Sequence, residues 1–83
     1  MSPGDLNKEI LRAAIVAELD AISLYEQMAD LAGNEEVKRV LLDVAMEEKV
    51  HVGEFQELLL RADGEQKDKI ETGRKEVEDK LSK

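Results

Sequence analysis

Two apolar patterns, each about 28 residues long, are joined by a break of only two residues, Gly33-Asn34, and this restricts the chain more than any other feature. In the first pattern Ile10, Ala14, Ala17, Ala21, Leu24, Met28 and Leu31 recur in steps of four and three, the seam of a helix packed against other helices. A second stripe of the same period runs beside it through Leu11, Ile15, Glu18, Ile22, Tyr25 and Ala29. After the break, Val37, Leu41, Val44, Glu48, His51, Phe55, Leu58 and Ala62 repeat the spacing. A connection this short makes the helices antiparallel neighbours, each roughly 40 Å long at 1.5 Å per residue. Pro3 and Gly4 are expected to keep the start irregular, with Asp5 or Asn7 capping a first helix that runs to about Ala32. The second is expected to end near Asp63-Gly64, with Gly64 in the left-handed cap conformation.

The division is therefore an all-α hairpin over residues 5–63 and a charged C-terminal segment over 64–83. In that segment Ile70, Val77 and Leu81 allow a narrow contact stripe, weakened by Gly73, on a short and mostly solvated third helix. Eighty-three residues bury too little surface for a robust monomer, so self-association is expected. Cysteine is absent, which removes disulfides, thiolate zinc sites and thiol catalysis. A formal charge of −8 opposes nucleic-acid binding, which needs a basic face. No apolar run approaches the roughly 20 residues of a membrane span, and the start from Met1 to Asp5 has no signal-peptide pattern, so a cytosolic chain is expected.

Glu18, Glu48 and His51 interrupt the apolar stripes. A buried carboxylate without a partner is costly, so the three are candidate metal ligands. Glu18 stands 15 residues before Gly33 and Glu48 stands 15 after it, so a hairpin places them level, with His51 one turn beyond Glu48 on the same face. Three ligands are half of a di-iron carboxylate set, which takes a Glu from each of two helices and Glu-x-x-His from each of two others. Two hairpins supply the whole set as a four-helix bundle with the metal on its twofold axis. Carboxylate and imidazole donors suit iron, manganese or zinc. A core histidine paired with Glu48 is the plainer reading of His51, but it leaves Glu18 unexplained.

The segments Ala17-Glu18-Leu19-Asp20-Ala21-Ile22-Ser23-Leu24-Tyr25-Glu26-Gln27 and Leu41-Leu42-Asp43-Val44-Ala45-Met46-Glu47-Glu48-Lys49-Val50-His51 resemble the encapsulated ferritins, two-helix "half ferritins". The resemblance covers roughly residues 8–62. It implies Fe(II) oxidation by dioxygen at a di-iron site formed by Glu18, Glu48 and His51 of two chains, with Tyr25 next to the site and Asp20 at an acidic position near metal entry. It also implies a homodimer assembled into a ring, often a decamer, inside an encapsulin nanocompartment that stores the iron. The neighbouring acidic entry position is Ala17 here, and Leu24 replaces the aromatic that usually precedes the tyrosine. Free cargo members end in a Leu/Gly-rich targeting peptide, whereas this chain ends Lys80-Leu81-Ser82-Lys83, as a cargo protein lacking that peptide or the ferritin-like part of a shell fusion would. Tyr25 also reads as a core aromatic, Met28 and Met46 as packing residues, and Glu47, Glu54 and Glu57 as solvated face. A rubrerythrin-like peroxide-reducing site and a structural or cargo dimerisation module are the alternative functions.

Overall fold

The computed structural model describes residues 2–82 and contains three helices: α1 (Pro3–Leu31), α2 (Glu35–Ala62) and α3 (Gly64–Leu81). Helix α1 begins earlier than its sequence suggests. Ser2, not Asp5 or Asn7, is the cap, its hydroxyl oxygen accepting from the Asp5 N–H at 3.2 Å. Pro3 and Gly4 are helical because proline at the first position gives up an N–H that has no intrahelical acceptor anyway. Asp5 in turn accepts from the Ser2 hydroxyl at 2.8 Å, which holds its carboxyl below the ordinary value. Met1 and Lys83, at the outer ends of the two terminal stretches considered above, lie outside the described residues.

Between α1 and α2 only residues 32–34 are non-helical. The Asn34 side chain accepts from the N–H groups of Glu36 and Val37 at 2.8 and 3.1 Å, which satisfies donors of the first turn and fixes where α2 starts. The helices then pack along their length as an antiparallel hairpin.

The seam differs in detail from the expected one. It runs along the second stripe of α1: Ile22 and Ala29 are buried, and Leu11, Ile15, Glu18 and Tyr25 are half-buried. The first stripe lies beside the seam, with Ala14 and Ala21 half-buried and Ile10, Leu24, Met28 and Leu31 exposed. A helix with one neighbour covers only one stripe; α1 carries two because its apolar surface is wider than α2 can cover. On α2 the buried line passes through Ala45 and Leu59, with Leu41, Val44, Glu48, His51 and Phe55 half-buried and Val37, Leu58 and Ala62 exposed. Met46, like Met28, is exposed.

Gly64 does not close α2 in a left-handed conformation, since no glycine among the described residues has a positive φ. Asp63 is the sole residue between α2 and α3, the C-cap of one and the N-cap of the other. Helix α3 runs unbroken through Gly73 for 18 residues and buries none of them. It meets α2 and not α1, and the Cα trace is a flat body of 46 × 43 × 15 Å. Its support is local. The Arg74 guanidinium donates to Glu71 from Nη2 at 2.6 Å, one turn back, and to Glu78 from Nη1 at 2.5 Å, one turn ahead.

That arrangement holds the Glu71 carboxyl below its ordinary value through the Arg74 hydrogen bond and charge. The support that Glu71 gives α3 is complete above the unperturbed value of 4.5 and is lost as pH falls through the depressed one. A carboxyl-resolved NMR titration is expected to find the Glu71 midpoint below 4.5 and to find it returned toward 4.5 by Arg74→Met.

Candidate metal centre

Helices α1 and α2 bring Glu18, Glu48 and His51 together at one level of the seam. One donor atom from each lies within 4.8 Å of the other two. The His51 Nδ1 is 3.2 Å from Oε2 of Glu18 on the opposite helix and 3.6 Å from Oε2 of Glu48 one turn before it. The short connection after α1 sets the height, and the three-residue step from Glu48 to His51 sets the shared face. Both carboxylates are mostly withdrawn from solvent, with side-chain exposures of 20% for Glu18 and 18% for Glu48, whereas His51 is 45% exposed. The cluster thus opens on one side of the hairpin.

Chemically the arrangement is two acceptors facing one imidazole nitrogen. A proton on Nδ1 lets His51 donate to Glu18; without that proton Nδ1 offers a lone pair, and the three groups become convergent donors for a cation. Oxygen and nitrogen donors with no thiolate suit a divalent transition metal. The three groups are close enough together to be candidates for holding one ion.

The open side carries exposed apolar side chains, with the acidic Glu47 and Glu54 of α2 beside them. At 100° per residue, Ile10, Leu24 and Met28 of α1 fall on the same side of the hairpin as Glu18, and Val40 and Leu58 of α2 fall on the same side as His51; all five are exposed. The opposite side carries the Lys49–Glu26 ion pair at 3.3 Å, which joins the helices across the seam. Tyr25 is half-buried on the Glu18 stripe, two turns and about 10 Å further along the axis. Asp20 is exposed and turned about 200° around α1 from Glu18, so the structure does not bring it to the cluster. Glu47, Glu54 and Glu57 are exposed as expected. The Lys49–Glu26 pair and an Arg12–Asp63 pair leave no signal in the sequence, because both join residues far apart in the chain whose charged types are common on any helix surface.

A family model described as rubrerythrin matches residues 9–82. The chain is 59% identical over 71 residues, 86% of its length, to the ferritin-like-encapsulin shell fusion protein of Pyrococcus furiosus, and 46% identical over 56 residues, 68% of its length, to the encapsulin nanocompartment cargo protein EncC of Myxococcus xanthus. It spans only 21% of the first relative and 43% of the second. The crystal structure of the encapsulated ferritin domain from Pyrococcus furiosus superposes with a TM-score of 0.91 at 53% identity, over 95% of this chain and 81% of that one.

The cluster predicts a stability response to metal. Cobalt(II), a redox-quiet probe, is expected to raise the unfolding free energy by about 2.7 kcal/mol at roughly 100 times its dissociation constant, and chelation is expected to reverse the gain. Glu18→Ala, Glu48→Ala and His51→Ala should each abolish the response in a denaturation titration.

Proposed function

Since this chain belongs to the encapsulated ferritins, within the rubrerythrin family, we propose that it is a ferroxidase that oxidises Fe(II) with dioxygen at a site shared by two chains. The observation that carries the reading is the convergence of Glu18, Glu48 and His51 at one level of the hairpin, on an open side that also exposes apolar side chains. Three donors are half of a di-iron carboxylate set, and a second copy turned by a twofold axis contributes the other half. The exposed Ile10, Leu24, Met28, Val40 and Leu58 supply a surface for that copy, which completes a four-helix bundle.

Fe(II) is the substrate in this scheme. The four carboxylates of Glu18 and Glu48 in the pair of chains bind two ferrous ions and favour the more highly charged ferric product, while each His51 gives a neutral donor. The two ions yield one electron each to dioxygen, which takes up two protons and is reduced to hydrogen peroxide; that is the chemistry the metal supplies. Glu18 and Glu48 are both mostly withdrawn from solvent, so neither carboxylate is freely hydrated when it meets a cation. In this reading Tyr25, two turns further along the Glu18 stripe, is a phenol that exchanges an electron with the site from about 10 Å. Asp20 enters only as a surface carboxylate that concentrates cations before they reach the seam.

A hairpin of two helices encloses no storage cavity, so oxidised iron needs a separate container. The relatives named as a shell fusion and as a nanocompartment cargo protein support an encapsulin shell in that role, with this chain inside the nanocompartment in the cytoplasm. The second exposed apolar side, with Val16, Leu19, Leu42, Met46 and Val50, supports assembly of dimers into a larger ring, for which a decamer is the proposed size. The match to the rubrerythrin model favours one further reading, reduction of peroxide at the same site.

The test is aerobic Fe(II) oxidation by the purified oligomer, followed optically, with iron per dimer counted by mass spectrometry. Two irons per dimer and rapid oxidation are expected. Glu18→Ala and His51→Ala should lower the rate by more than the roughly 10–100-fold that outer partners of a metal ligand are worth. Faster turnover with hydrogen peroxide than with dioxygen would select the peroxide reading. A rate at background, unchanged in both variants, would leave a structural or cargo dimerisation module.

A further inference from the structure

We propose that the Arg12–Asp63 ion pair is a latch that fixes the direction in which α3 leaves the hairpin. The corner between α2 and α3 is a single residue. The Asp63 N–H donates to the Leu59 carbonyl at 2.9 Å as the last bond of α2, and its own carbonyl accepts from the Lys67 N–H at 3.1 Å as the first of α3. Residues on both sides are therefore committed to helices, and the angle between them turns on the φ and ψ of Asp63. The apolar core gives those two dihedrals little restraint, because α3 buries no side chain and its backbone approaches α2 but not α1.

The Asp63 carboxylate does restrain them. Its Oδ1 accepts from the Gln66 N–H at 3.0 Å and so belongs to the first turn of α3, while its Oδ2 accepts from Nη2 of Arg12 at 3.2 Å. Arg12 lies on α1, 51 positions away in the chain. One carboxylate is thus tied to α3 through one oxygen and to α1 through the other. With 13% of its side chain exposed, Asp63 is the most shielded partner in the ion pairs that cross between elements. The guanidinium is itself oriented from below by Glu9, which accepts from Nη1 at 2.7 Å, so the planar fork of Arg12 presents Nη2 to the corner in a set direction. Asp5, Lys8 and Glu65 line the rest of this cleft. The latch gives a fixed bearing to the exposed Ile70, Val77 and Leu81 stripe of α3, which otherwise would swing about one residue. It is independent of the chemistry proposed for Glu18, Glu48 and His51.

The inference is tested by the distance between nitroxides at Asp30→Cys on α1 and Lys75→Cys on α3, measured by double electron–electron resonance on the assembled protein with labelled chains diluted among unlabelled ones. The chain has no native cysteine to interfere. A single narrow distance is expected. Arg12→Met should broaden or shift it, and so should Asp63→Asn, which keeps a good capping oxygen but loses the charge, while circular dichroism shows the helix content unchanged. Arg12→Lys should recover most of the narrow component, and Glu9→Gln should leave it in place. An unaltered distance in Arg12→Met overturns the proposal, as does a change in Asp63→Asn that appears only with loss of helix.

Discussion

The height at which α2 lies against α1 governs everything else in this molecule. Three non-helical residues and the Asn34 cap define it. A slip of one helical turn would move Glu48 and His51 by about 5.4 Å along the axis relative to Glu18, and a slip of one residue would rotate them by about 100°. Either displacement exceeds the separation of 3.2 Å between His51 and Glu18. The site therefore has no independent geometry of its own: it is a consequence of where the second helix starts and of the regular rise that follows.

That constraint also explains how two carboxylates are accepted in a seam that otherwise buries Ile22, Ala29, Ala45 and Leu59. Each is mostly but not fully withdrawn from solvent, and each faces an imidazole nitrogen. A single hairpin with so small a core has little stability of its own. It exposes apolar side chains on both broad sides, and the open edge of the cluster lies on one of them. In the proposed dimer, completion of the core and completion of the donor set are one event, which links assembly to the chemistry proposed for it.

Helix α3 is built on a different principle. The hairpin is held by packing along its whole length, whereas α3 is held by its own ion pairs and by polar bonds at its first residue. Contacts of that kind depend on ionic strength and pH far more than packing does. The molecule thus joins a core-stabilised platform to an arm whose shape is local and whose bearing is electrostatic.

Much of this architecture can be read from residue order. The two apolar periods, the Gly33-Asn34 break and the equal spacing of Glu18 and Glu48 from it are sufficient to derive the hairpin and the cluster of Glu18, Glu48 and His51, because helical rise and twist are nearly invariant. Local order also implies a third helix after Gly64. What residue order left open was which of two adjacent α1 stripes faces α2, since both have the same period and only the packing of Ile22 and Ala29 against the second helix distinguishes them. It also misplaced the cap of α1 and the role of Gly64, because Ser2, Asp5 and Asn7 are all competent caps and a glycine after a helix can equally open the next one. The Arg12–Asp63 and Lys49–Glu26 pairs were decided by tertiary structure alone: a charge on a helix surface has no preferred partner until a second helix is set beside it at a definite height and angle.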